Sequence, residues 1–246
     1  MAERKLALIT GAARRVGAEV ARHLHERGLD IIIHYRNSEA DARALAETLN
    51  GRRADSVHLL AADLDDPEQV RSLAEKTLAV PGQLVLLVNN ASTFYARSLL
   101  DTSDEDWQRL VHSNLRAPLI LTQCLAPALS RAHGSIVNIV DVYAEKPLKD
   151  FPLYSVAKAG LAQLTRASAR ELGPDVRVNG VSPGPILWPE QGQDNQQAVL
   201  DGTALARSGS PTDIASAVAF LALDAPFVTG QILAVDGGRS LAFHGS

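Results

Sequence analysis

Apolar and polar positions fall into blocks along this chain, and the period of the blocks switches in a regular order. Runs that are apolar at nearly every position, KLALIT, DIIIHY, SVHLLAADL, QLVLLVNN, GSIVNIV, VRVNGVSP and QILAVDGG, read as strands. Continuous hydrophobicity marks strands covered on both faces. Between them lie stretches with apolar residues three and four apart, which read as helices over 14–27, 38–50, 67–79, 104–114, 117–132, 152–172 and 211–223. Gly28 stands where a left-handed residue ends the first helix. Ser38 stands where a side chain caps the second, Gly51 stops it, and Pro67 opens the third. Strand and helix in strict alternation predict an α/β fold, a doubly wound parallel sheet of about seven strands in the Rossmann manner. No repeat or low-complexity tract divides the chain, so residues 1–246 read as a single domain. The one long irregular stretch, SPGPILWPEQGQDNQQ from Ser182, reads with the residues up to 204 as a substrate lid.

Composition narrows the function classes. The 246 residues are 46% hydrophobic and 21% charged with a net charge of −4, so a sizeable core is expected and no basic field draws in nucleic acid. The apolar runs are too short to span a bilayer, and the first one has strand length, not the length of a signal-peptide core. A cytoplasmic location is the expectation. The one cysteine, Cys124, excludes an internal disulfide and sits in an apolar helical stretch as a small hydrophobe. No metal-ligand spacing occurs. The pair Arg52/Arg53 reads as a solvated face.

The first strand-to-helix turn is TGAARRVGAEV. Gly11 allows a tight turn, Gly17 allows close helix packing, and the helix-start amides face a pyrophosphate. With only these two glycines the stretch also fits a purely structural turn. A dinucleotide loop selecting NAD is followed by an acid about 20 residues on. Here the second strand ends His34-Tyr35-Arg36-Asn37-Ser38 without one. Arg36 and Ser38 suit a 2′-phosphate, which favours NADPH, although Arg36 also fits a plain surface arginine. Asp63, Asn90-Ala91-Ser92 and Pro183-Gly184 follow later strands, at the edge where such sheets bind ligands. Asn114 ends a helical pattern and reads equally as a cap or a site residue.

Tyr154 and Lys158 stand four apart on a predicted helix, one turn from each other. A cation beside a phenol is expected to pull the tyrosine pKa down and make it a proton shuttle. Asp141, at the end of the fifth apolar run, adds a carboxylate.

Together these motifs make the chain resemble the short-chain dehydrogenase/reductase family over nearly its whole length. TGAARRVG is similar to its cofactor loop, NNAS to its Asn-Asn-Ala-Gly segment and YSVAK to its Tyr-x-x-x-Lys centre. VNGVSPGPI and FVTGQILAVDGG are similar to its later motifs. Most members carry a Ser or Thr where Asp141 stands and a glycine where Arg15 stands. Those two departures, with NNASTFY and HYRNS, resemble the pteridine reductases, including bacterial dihydromonapterin reductases.

The resemblance implies a catalytic set of Asp141, Tyr154, Lys158 and Asn114, the last holding Lys158 through water. It implies cofactor contacts from Gly11, Arg14, Arg15, Val16, Gly17, Tyr35, Arg36, Asn37, Ser38, Asp63, Leu64, Asn90, Ala91, Ser92, Tyr154, Lys158, Pro183 and Gly184. Arg15, Ser92, Phe94, Asp141, Tyr154, Leu187 and Trp188 would meet the substrate, Phe94 stacking on a flat pterin. A homotetramer and a small-molecule pterin substrate, reduced from the dihydro to the tetrahydro form, are further implications. A carbonyl reductase acting on 3-oxoacyl thioesters and a non-catalytic NADPH sensor remain the alternatives.

Overall fold

Seven parallel strands form one sheet in the order β3-β2-β1-β4-β5-β6-β7. They are β1 (Lys5–Ile9), β2 (Asp30–Tyr35), β3 (Val57–Ala61), β4 (Gln83–Asn89), β5 (Ser135–Ile139), β6 (Arg177–Pro183) and β7 (Ile232–Val235). The computed structural model describes residues 4–188 and 196–241. Helices α1 (Arg15–Glu26), α2 (Glu39–Asn50), α3 (Pro67–Ala79), α4 (Asp104–Val111), α5 (Ala117–Arg131), α6 (Pro152–Leu172), α7 (Gln196–Asp201) and α8 (Pro211–Ala219) connect them. The central strands are apolar throughout because each face meets a helix layer. One core joins Ile9, Ile31 and Ile33 to Val20, Leu24 and Val218, and the other joins Leu8, Ile32 and Leu87 to Leu73, Leu121 and Leu125. Successive residues of β1 and β2 thus point into opposite cores.

Strand order reverses between β1 and β4, and the crossovers diverge there. That leaves a crevice beyond the carboxyl ends of the strands. Local chemistry fixes the helix ends around it. Gly28 takes φ 92° after α1, the left-handed closing residue its position suggested. Asp66 accepts from the Glu68 amide at 2.9 Å to start α3 beside Pro67. Among the described residues no helix is long and apolar enough to cross a membrane.

Three details depart from the sequence reading. Ser38 precedes α2 but its side chain makes no capping hydrogen bond, because its backbone (φ −93°, ψ 51°) is not in the extended form that aims a cap inward. The pattern over 104–114 and 117–132 is one rod: a π-turn over His112–Arg116 joins α4 to α5. Asn114 lies inside that turn and caps nothing. Arg53 is no solvated residue; it pairs with Asp30 at 3.2 Å and donates to the carbonyls of Leu29 and His25, tying the ends of α1 and β2. The lid expectation over 182–204 falls partly on residues 189–195, which lie outside the described residues. Ser182 and Pro183 belong to β6, and Gln196–Asp201 is helical.

Candidate active site

A cleft of about 800 Å³ opens at the β1/β4 switch point. At its floor Gly11 adopts φ 62°, and a Cβ there would sit 3.0 Å from Ala91 Cα. At Gly17 a Cβ would collide with the Gly11 carbonyl and lie 2.5 Å from the Asn90 amide nitrogen. Both positions therefore demand glycine. Asn90 staples the loop to β4: its side chain donates to the carbonyls of Thr10 (2.8 Å) and Gly11 (3.1 Å). The backbone amides of Asn90 and Ala91 share Thr10 Oγ1.

The start of α1 is left open to an anion. Its N-cap, Arg14, contributes no side-chain cap, and the first turn carries no acid. By contrast α3, α4 and α8 have their first amides capped by Asp66, Ser103 and Ser210. Uncapped amides at the positive end of a helix, facing a cleft, form a phosphate cradle. Arg14, Arg15, Val16 and Gly17 all line it. Arg15 holds φ 54°, the left-handed conformation that favours glycine, and its guanidinium donates to the Trp188 carbonyl at 3.3 Å. Tyr35, Arg36, Asn37, Ser38, Asp63 and Leu64 line the neighbouring wall. The Arg36 guanidinium there meets Asp63 at 3.4 Å and Asp65 at 3.2 Å.

At the other end of the cleft stands the acid cluster. Tyr154 (4% exposed) and Lys158 (1%) project from the first two turns of α6. The Tyr154 hydroxyl donates to Asp141 Oδ2 at 2.7 Å, and the Tyr143 amide donates to Asp141 Oδ1 at 3.0 Å. Lys158 Nζ donates to the Ile139 carbonyl at 2.9 Å and lies 5.7 Å from the centre of the Tyr154 ring.

The expected depression of the tyrosine pKa does not occur. Burial and the Asp141 carboxylate push the Tyr154 phenol well above its ordinary value; the Ser92 hydroxyl works the other way. Lys158, bonded to the Ile139 carbonyl, does not offset this. Burial raises the Asp141 pKa, against the pull of Tyr143, Tyr154 and Lys158. Burial lowers Lys158 to about 8. The result is a neutral phenol pointing its proton at a carboxyl group that itself holds protons more readily than usual.

Ser92 donates to Asn114 Oδ1 at 2.8 Å, and Asn114 donates to the carbonyls of Thr93 and Leu110. Asn114 is fully buried behind the wall, and of the expected site residues it alone does not line the cleft. Phe94 faces the cleft at 40% exposure. One face of its ring is taken by Phe151, stacked at 4.4 Å, and Tyr154 meets it edge-on at 4.8 Å. A flat substrate could use only what this arrangement leaves open. Leu187, Trp188, Pro183 and Gly184 close the cleft from the β6 side. Among the described residues no cluster of His, Cys, Asp and Glu suited to a metal ion occurs.

A family model described as "Enoyl-(Acyl carrier protein) reductase" matches residues 11–240. Pteridine reductase 1 of Leishmania tarentolae is 34% identical, over 96% of each chain. A 3-oxoacyl-[acyl-carrier-protein] reductase of Staphylococcus aureus is 32% identical, over 95% of this chain and 97% of its own. The chain belongs to the short-chain dehydrogenase/reductase family. It is an oxidoreductase. Among solved structures, a blue fluorescent protein from a metagenomic library in complex with NADPH superimposes with a TM-score of 0.90 at 34% identity, covering 96% of this chain and 97% of that one.

Within this short-chain reductase the structure also brings in residues that the sequence did not flag. Tyr143, Val199 and Arg239 line the cleft, and Phe151 backs Phe94. Phe151 carried a faint signal, an aromatic directly before the first residue of α6. His34 was visible only as the tail of a strand. It is buried at the cleft floor, where Nδ1 accepts from the Gly11 amide at 3.1 Å and Nε2 donates to the Ala62 carbonyl at 3.1 Å. This bonding selects the neutral Nε2–H tautomer.

Burial takes the His34 pKa from 6.5 to about 4. Between those values the unfolded chain binds a proton that the folded chain does not, so stability falls as pH drops from 6.5 to 4 and this group costs nothing above that window. The full loss is about 3 kcal/mol at 1.36 kcal/mol per unit. Melting temperature against pH should therefore fall more steeply through this window for the native protein than for His34→Asn. Parallel curves for the two proteins would remove His34 from the account.

Proposed function

We propose that the protein is an NADPH-dependent reductase of dihydropterins, acting on a ring C=N bond to give the tetrahydro form. The observation that carries this reading is the 2.7 Å bond between the Tyr154 hydroxyl and Asp141 at the cleft wall. A carbonyl substrate wants a neutral hydroxyl donor beside its oxygen, and a carboxylate there repels the developing alkoxide. A pterin instead offers N–H donors and a basic ring nitrogen. An acid with a raised pKa can accept from the former and protonate the latter.

The fit to the dinucleotide rests on the open start of α1, the glycine floor and the Arg36 wall. The α1 amides would hold its pyrophosphate, and Arg36 and Ser38 its 2′-phosphate, with Arg36 shifting from Asp63 and Asp65. When bound, NADPH supplies the hydride that goes to the ring carbon. The chain's own residues manage the proton that the neighbouring nitrogen takes up. Tyr154 holds its proton on the Asp141 bond at rest and would release it along that bond during turnover, with Asp141 relaying it to the ring nitrogen. Lys158, anchored on Ile139, holds positive charge beneath the phenol ring. Phe94 supplies flat apolar area on the face that Phe151 leaves free.

A second reading, reduction of 3-oxoacyl thioesters, draws support from the wording of the family model and from the Staphylococcus aureus relative. NADPH oxidation followed by absorbance against a panel separates the two. Dihydropterins and dihydrofolate are expected to give the higher kcat/KM. Faster turnover of oxoacyl thioesters would overturn the pterin reading. Tight NADPH binding with no oxidation by any compound would point to the sensor alternative.

A further inference from the structure

We propose that Arg239 selects substrate by binding an anionic group, so that within the pterin class the preferred substrate carries a carboxylate-ended side chain, as dihydrofolate does. The inference rests on the pterin reading above and names the part of the substrate that the acid cluster does not address. Arg239 lines the cleft together with Tyr143, Leu187 and Trp188.

Its backbone is held in one place. Gly237 and Gly238 take φ 61° and 81°, a double left-handed turn after β7. The buried Asp236 carboxylate accepts from the amides of Gly238 (2.9 Å) and Ser240 (2.7 Å). The Arg239 amide itself donates to the Asp236 carbonyl at 3.1 Å. The guanidinium lies against Gly202, just past α7, where a Cβ would meet Arg239 Nη1.

The charge of Arg239 has little to satisfy it. Nη1 donates to the Val199 carbonyl at 3.3 Å. No carboxylate pairs with Arg239 among the described residues, whereas Arg4, Arg27, Arg36, Arg43, Arg52 and Arg53 each have one. A guanidinium offers five N–H donors in a planar fork matched to a carboxylate. The nearby acid of the cleft, Asp141, is already engaged by Tyr154 and the Tyr143 amide. Tyr143 bridges the two places. Its amide touches Asp141, and its phenol is pushed up by burial and then by the Asp141 charge, and drawn down by the Arg239 charge. A ring held at Asp141 thus leaves a side chain running past Tyr143 towards a half-buried cation.

The test measures binding to the protein loaded with NADP+, so that no hydride leaves. 7,8-Dihydrofolate, which ends in carboxylates, and 7,8-dihydrobiopterin, whose side chain is neutral, are titrated calorimetrically into the native protein, Arg239→Gln and Arg239→Lys. Loss of a charge-assisted bidentate contact is expected to weaken dihydrofolate by at least ~10-fold more than it weakens dihydrobiopterin in Arg239→Gln. Arg239→Lys should recover part of the difference. Equal weakening of both ligands, or of neither, overturns this inference and leaves the pterin reading standing. If the native protein binds neither ligand, the pterin reading falls and the inference falls with it.

Discussion

Tyr154→Phe is expected to lower kcat by ~10²–10⁴-fold with any productive substrate, since a positioned proton donor contributes on that scale. The effect should appear in kcat and kcat/KM together and leave NADPH affinity near normal, because the lost hydroxyl acts on the reacting atoms. The substitution also strips Asp141 Oδ2 of its hydrogen-bond donor at 2.7 Å. A carboxyl group left unpaired in a buried site then takes up a proton more readily. Steady-state kinetics with a parallel fluorescence titration of NADPH checks this. A variant that retains more than about a tenth of native kcat would exclude Tyr154 as the proton donor.

Asp141→Ser installs the hydroxyl that the family resemblance places at this position, and its expected result is a change of preference. Turnover of dihydropterins should drop by ~10²-fold, because a serine neither accepts from pterin N–H groups with charge nor offers an acidic proton. Turnover of 3-oxoacyl thioesters should rise over the native protein, because the repelling carboxylate is gone and a neutral donor stands in its place. The ratio of kcat/KM values for the two substrate types measures it. If pterin turnover is unchanged and the ratio stays where it was, the carboxyl group has no part in substrate choice. The experiment separates the two functional readings even if the native enzyme handles both compounds slowly.

Much of this architecture is legible in the chain because it is written locally. The seven strands announce themselves as unbroken apolar runs, Gly11 and Gly28 mark turns of positive φ, and Gly17 marks the close approach of α1 to the first loop. Every residue expected at the cleft lines it except Asn114, whose position inside a π-turn depends on how α4 and α5 fuse. What stayed hidden is non-local. The direction of the Tyr154 pKa is set by burial and by a partner thirteen positions away in sequence, and helical spacing to Lys158 says nothing of either. Arg53 finds its carboxylate on a strand that precedes it by more than twenty residues. Arg239 reaches the cleft only because the sheet brings the end of β7 beside β6, and nothing in its immediate neighbours announces a pocket.

Phe151 stands at the N-cap of α6, and the same helix carries Tyr154 three residues later and Lys158 after one further turn. The buttress behind the Phe94 ring and the group that handles the proton are therefore mounted on one rigid rod. A planar molecule pressed against Phe94 is indexed to the proton source through that rod, without any hinge in between. Wear on this alignment would come from whatever tilts α6 as a whole, so distant substitutions along its packed length should blur the chemistry before they loosen the fold.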